Sequence, residues 1–125
     1  MNRTFNVLLV EDDLALGEVT GEGLKLLGHH VTWVCTAAAA FEALRVDHSF
    51  AVVLLDLRLG DEHGETIFEK MQLLKITYPP VVILSAELAS VLRRAAQRIK
   101  TPHIVQKPAS IQQVNSALQH AVARA

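Results

Sequence analysis

At 125 residues, half of them hydrophobic and a fifth charged, the chain has the length of one ordinary domain and enough apolar side chains to bury a core, which excludes a disordered chain. A formal net charge of −1 leaves no overall electrostatic footprint for nucleic acid or an anionic membrane. The one cysteine, Cys35, excludes an internal disulfide and fits a reducing cytosol, and the apolar runs are too short to span a bilayer.

The chain opens with MNRTFNVLLVEDD. Met1 reads as a natural start, or an engineered one. The apolar stretch runs straight into three acids with no small-residue cleavage site, which argues against a signal peptide. Phe5–Val10 reads as a strand. From Leu14 to Leu27 apolar positions fall at helical spacing (Leu16, Val19, Gly23, Leu27), and Gly28 stands where a glycine ends a helix. Val31–Cys35 is β-branched and aromatic, a second strand. Thr36 is placed to N-cap a helix whose inner face is Ala37, Ala40, Phe41 and Leu44. Ala51–Asp56 is the third strand. After a glycine-bearing loop, Ile67, Met71 and Leu74 mark a third helix, broken by Tyr78-Pro79-Pro80 because proline lacks a donor and disfavours helix before itself. Val81–Leu84 is the fourth strand. Leu88, Val91, Leu92, Ala95 and Ile99 mark the fourth helix. His103–Gln106 is a weak fifth strand, and Ile111, Val114, Leu118, Ala121 and Val122 face inward from a last helix.

Strand and helix alternate five times. Near-continuous apolar strands in that rhythm imply a parallel sheet covered on both faces, a doubly wound three-layer α/β fold. Ligands of such sheets bind beyond the carboxyl ends of the strands. There the first strand delivers Glu11, Asp12 and Asp13, the third Asp56, the fourth Ser85 and the fifth Lys107. Asp13, directly before a helix, reads as a helix-start acid favoured by the dipole. Carboxylates that converge repel one another unless one takes a proton or a cation sits among them. An all-oxygen set suits Mg²⁺, or Mn²⁺ in its place. Acids, a cation, a lysine and a hydroxyl suit phosphoryl transfer, and an aspartate carboxylate can itself be the nucleophile; Asp56 is the candidate.

In order, VLLVEDD, VVLLDLRLG, VVILSA and IVQKPAS resemble the receiver domain of two-component response regulators. Asp12 and Asp56 are separated by 44 positions, Asp56 and Ser85 by 29, Ser85 and Lys107 by 22, as in that family, and the resemblance covers the whole chain. It implies a single receiver domain over 1–125, flavodoxin-like, with strand order 2-1-3-4-5. It implies Asp56 as acceptor of a phosphoryl group from a sensor histidine kinase or histidine phosphotransfer protein. Asp12, Asp56 and the backbone carbonyl of Arg58 would bind Mg²⁺, with Glu11 acting through water. Ser85 and Lys107 would hold the phosphoryl oxygens, and the Lys107–Pro108 bond is often cis in the family. Arg58 and Glu87 occupy positions that tune phosphoryl lifetime and are expected to pair across the site entrance. The expected protein is cytoplasmic and not an enzyme beyond its own phosphorylation and dephosphorylation. Its readout would be a downstream protein or a homodimer through the face of the fourth helix, fifth strand and fifth helix, with no direct nucleic-acid contact.

The departures are equally specific. Gly60 stands where the family usually has proline, while the glycine four positions on is kept as Gly64. Ile104 replaces the aromatic whose rotamer couples site to readout. Ala109 replaces a phenylalanine, and Thr101-Pro102 replaces Gly-Ala. These keep open a second reading, a receiver-like interaction module with phosphorylation-independent output. Arg58, where aspartyl-phosphate hydrolases commonly carry a second aspartate, counts against hydrolysis of external substrates. The six histidines lack ligand-like spacing and read as surface residues.

Overall fold

A computed structural model describes residues 2–125; Met1 lies outside the described residues. Five parallel strands form the sheet: β1 (Asn6–Val10), β2 (His30–Val34), β3 (Val52–Leu55), β4 (Val81–Ser85) and β5 (Ile104–Gln106). Their spatial order is β2-β1-β3-β4-β5, with Leu9 level with Trp33 on one side and Leu54 on the other. The helices are α1 (Leu14–Leu26), α2 (Ala37–Val46), α3 (Glu65–Leu73), α4 (Ala89–Ile99) and α5 (Ile111–Ala123).

The period-2 alternation of side chains divides the core into two layers. Leu8, Val10, Val53, Leu55 and Ile83 point to the face covered by α2, α3 and α4, where Phe68, Met71, Leu92 and Ile99 meet them. Val7, Leu9, Val52, Leu54 and Val82 point to the other face and pack against Leu24, Val114 and Leu118 of α1 and α5. The central strand β3 is buried at every position, so its four apolar residues in a row are what a doubly covered strand requires. Thr36 accepts from the Ala39 amide as the N-cap of α2. Gly28 follows the end of α1 with φ of 96°.

Three details correct the sequence expectation. First, Leu16 and Val19 are not core: they are 43% and 71% exposed. The helix rests instead on Gly17, Gly21 and Leu24. A side chain at Gly17 would run into the Trp33 ring, so close approach, not hydrophobic area, selects the buried face here. Second, α3 stops at Leu73, with Lys75 in a positive-φ turn, before the prolines are reached; Leu74 is exposed, as is Leu88 ahead of α4. Third, His29 is buried. Its Nδ1 accepts from the Phe5 amide at 3.1 Å and its Nε2 lies 2.7 Å from Asn115 Oδ1, which fixes the tautomer with the proton on Nε2. No helix among the described residues is long and apolar enough to cross a membrane.

Candidate functional site

At the carboxyl end of β3 the chain leaves the core, and Asp56 is the first residue beyond it. Its amide donates to Val10 O at 3.0 Å, and the amide of Glu11 donates to Val34 O at 3.0 Å. Sheet-like bonds thus carry the backbone of both acids to one edge. Carboxylate oxygens of Glu11, Asp12 and Asp56 lie within 4.8 Å of one another. Asp13 stands outside this cluster, its Oδ1 accepting from the Leu16 amide at 3.0 Å as the N-cap of α1.

Lys107, brought in just beyond β5 by a bond from its amide to Ser85 O, bridges two of the acids. Its Nζ donates to Glu11 Oε1 at 2.9 Å and to Asp56 Oδ2 at 3.0 Å. The peptide bond to Pro108 is cis. Burial raises the Glu11 carboxyl above its ordinary range; the Lys107 hydrogen bond opposes this and Asp56 reinforces it. Burial alone would lower the Lys107 ammonium, but bonds to Glu11 and Asp56 outweigh it and leave it above the usual lysine value. A half-buried lysine between two carboxylates is therefore charged at neutral pH.

Ser85 is buried at the end of β4, and its Oγ accepts from the Glu87 amide at 3.3 Å. That bond leaves the hydroxyl proton unused. Arg58 and Glu87 do pair: Nε and Nη2 each lie 3.1 Å from Glu87 Oε1. With Asp56, Ser85, Ala86 and Lys107 they line an open concavity of about 240 Å³. Ile104 is partly buried against the core beneath α4, and Gln106 in β5 donates to Glu87 O at 3.4 Å.

Two contributors escape a reading of motifs. The Trp33 indole N–H donates to Glu11 O at 2.8 Å, so the ring that fills the space above Gly17 also fixes the acidic loop. The Gly60 amide donates to Asp12 Oδ2 at 2.7 Å, with φ of 62°. Proline, with φ near −65° and no N–H, is incompatible with both features. The departure at this position therefore comes with an anchor for Asp12. The loop carrying Gly60 is a small antiparallel hairpin, Arg58–Leu59 against Glu62–His63, where the sequence suggested only a loop. Gly64 sits so close under Asp56 that a Cβ would lie 2.7 Å from Asp56 O, which explains why this glycine is kept. The one signal in the sequence for Trp33 is that it is the sole tryptophan, set beside a helix with small residues.

The fold and this crevice define an α/β domain of the flavodoxin-like class, with an acidic, lysine-bridged pocket at the carboxyl edge of the sheet. The chain belongs to the response regulator receiver domain family, whose model matches residues 7–119. Receiver domains are signalling domains of two-component systems and act with sensor histidine kinases or phosphotransfer proteins. The chain is 38% identical over 80 residues to the response regulator protein PmrA of Pseudomonas aeruginosa, a stretch covering 64% of this chain and 35% of PmrA. It spans about half or less of the length of the curated relatives it matches. Among solved structures, the non-phosphorylated HemR receiver domain of Leptospira biflexa is 29% identical with a TM-score of 0.79, over 95% of this chain and 94% of that one. The receiver domain of the sensor histidine kinase PA1611 of Pseudomonas aeruginosa shares the fold, with a TM-score of 0.84 at 21% identity, over 97% of this chain and 99% of that one.

Proposed function

We propose that residues 1–125 form one cytoplasmic receiver domain that accepts a phosphoryl group on Asp56 and changes a protein-binding surface in response. The observation that carries this reading is the Lys107 ammonium shared by Asp56 and Glu11 beside a three-carboxylate cluster. It sets a cation against the acceptor and marks where new negative charge can be neutralised.

The donor set fits a hard divalent cation, because three carboxylates approach within one coordination sphere and no nitrogen or sulfur ligand competes. Asp12, Asp56 and the Arg58 backbone carbonyl would hold Mg²⁺ or Mn²⁺, with Glu11 acting through water; when bound, such an ion neutralises phosphoryl oxygens. The receiver domain of PA1611 was solved with magnesium in its active-site cleft, which supports this choice.

In the transfer, an Asp56 carboxylate oxygen forms the new O–P bond while the P–N bond to the donor histidine breaks. The leaving imidazole nitrogen takes a proton, and the product is an acyl phosphate. Lys107 then faces a phosphoryl oxygen, and the free proton of Ser85 Oγ can donate to another. Drawing the Ser85–Glu87 loop inward pulls on Gln106 through its bond to Glu87 O, a route to β5 that needs no aromatic at Ile104. The phosphodonor protein docks beside the site, where exposed Leu16 and Val19 border a groove of about 450 Å³ that also reaches Pro108, Ala109 and Lys107. The protein is a phosphoacceptor, not an enzyme acting on external substrates.

The test is intact-protein mass after incubation with Mg²⁺ and acetyl phosphate or phosphoramidate. The expected result is a gain of one phosphoryl mass, absent without the ion and absent in Asp56→Asn. A folded, Mg²⁺-binding chain that gains no mass would instead favour the phosphorylation-independent module.

A further inference from the structure

Trp33 is the sole tryptophan of the chain. It stands on β2, at the edge of the sheet, level with Leu9 of β1. An apolar side chain of another shape could pack there, but an indole also carries a donor that needs an acceptor when it leaves water. The acceptor is Glu11 O, 2.8 Å from Nε1. β1 ends one residue earlier, at Val10, and among the described residues no backbone amide takes that oxygen. The Glu11 amide, by contrast, continues the ladder to Val34 O at 3.0 Å. β2 thus holds the backbone of Glu11 twice, once through its main chain and once through a side chain.

The second bond reaches past Glu11. The carbonyl of Glu11 and the amide of Asp12 form one planar unit, so fixing the oxygen fixes the plane from which the Asp12 side chain departs. At its tip that side chain accepts from the Gly60 amide at 2.7 Å. Asp12 is therefore held at its root from β2 and at its tip from the loop after β3. Carboxylates of Glu11, Asp12 and Asp56 gathered within 4.8 Å repel one another, and any rotation left free among them is ordering that a binding cation must bring about. The indole is itself seated by α1. Gly17, buried on the inner side of that helix, leaves the space the ring fills: a Cβ there would overlap Cζ2 and lie 2.7 Å from Nε1.

We propose that Trp33 is a positioning residue of the crevice: its indole N–H, seated on Gly17, sets the Glu11–Asp12 peptide plane and thereby raises the affinity of the acids for a divalent cation. The proposal rests on the reading that Asp12 and Asp56 hold that cation. Trp33 acts only through Asp12 and Glu11. A side chain added on α1 therefore reaches the cation site without touching any of its ligands.

The experiment uses the unphosphorylated chain. Because there is one tryptophan, expression in a host that requires tryptophan replaces Trp33 alone by the analogue with sulfur in place of the indole N–H. The ring keeps its shape and loses only its donor. Calorimetric titration with Mg²⁺ should give a Kd about threefold to tenfold higher in the analogue than in the parent chain. Gly17→Ala, which displaces the ring and alters no acid, should raise Kd as well; the analogue carries the test should that variant fail to fold by circular dichroism. In the parent, the single indole N–H resonance should shift on addition of Mg²⁺, with the same midpoint as the calorimetric curve. A ring that only fills space would lower the stability of the ion-free chain and leave Kd unchanged. An unchanged Kd in the analogue or in folded Gly17→Ala, or an indole resonance that stays in place at saturation, would overturn the proposal and leave the cation site standing. A parent chain that binds no Mg²⁺ would overturn the site and the proposal with it.

Discussion

At the carboxyl edge of the sheet two cations and a backbone amide hold four carboxylates, whereas the α4–β5–α5 flank leaves its cations open to solvent. In the crevice, Lys107 serves Glu11 and Asp56, Arg58 serves Glu87, and Asp12 takes the Gly60 amide. On the flank, Arg93, Arg94, Arg98, Lys100 and Arg124 have no such partner among the described residues. Groups that must hold one geometry for a reaction are over-determined by their neighbours. Charges without a partner in the fold stay in water, because burying them unpaired would cost free energy. The contrast separates a centre held by a few paired residues from a basic surface whose charges stay solvated.

The contrast can be broken or sharpened by substitution. The largest effect is expected at Lys107. Lys107→Ala leaves two partly buried carboxylates facing each other, and urea denaturation without divalent ion should show a loss of about 1–3 kcal/mol. Added Mg²⁺ should recover part of it, about 1.4 kcal/mol once the ion exceeds its Kd roughly tenfold. No loss in the ion-free protein would mean that the bridge does not hold the site together.

Next comes Gly60→Pro, which removes the amide on Asp12 and forbids the observed φ. Calorimetric Mg²⁺ titration should show affinity reduced about fivefold, the equivalent of one ordinary hydrogen bond of roughly 1 kcal/mol. Equal affinity would make the anchor at Asp12 incidental.

Arg58→Ala opens the concavity above Asp56 while touching no core residue, since the Arg58 side chain is 71% exposed. Decay of the phosphorylated form should quicken by about twofold to tenfold as water gains access. An unchanged rate would reduce the Arg58–Glu87 pair to a surface feature.

On the flank the expectation reverses. Arg124→Ala should leave stability within about 0.5 kcal/mol, as for surface residues without a partner; a loss comparable to that of Lys107→Ala would erase the distinction between the two regions.

The smallest effect is in pH. The folded protein holds His103 below its ordinary value of 6.5, through burial, His120 and Arg124. The unfolded chain therefore binds the proton first as pH falls, and the contribution of His103, complete above 6.5, is lost as pH falls through the folded value. His103→Gln should flatten the stability profile in that window, and an identical profile would show that neither burial nor the neighbouring cations disfavour a charge on His103.

Much of this architecture is legible in the sequence. Val52–Leu55 declares a strand covered on both faces, and the acids, Ser85 and Lys107 fall at strand ends because the βα rhythm puts them there. What stays hidden has physical causes. The buried face of α1 is carried by Gly17 and Gly21, which have no hydrophobic signal, so Leu16 and Val19 draw the eye to the wrong side. His29 looks like any surface histidine until the Phe5 amide and Asn115, remote in sequence, close around it. The Gly60–Asp12 bond joins residues 48 positions apart through a backbone amide, which no side-chain motif records. The basic flank is missed because net charge sums over the chain, while the local field depends on where the charges stand.

The most direct test of the account is to locate the phosphoryl group. Borohydride reduces an acyl phosphate of aspartate to homoserine, so treatment of the phosphorylated protein followed by peptide mass analysis marks the acceptor. The account predicts homoserine at position 56 alone, formed only when Mg²⁺ or Mn²⁺ is present. Reduction at position 12, phosphate on a histidine, or modification independent of the ion would contradict it.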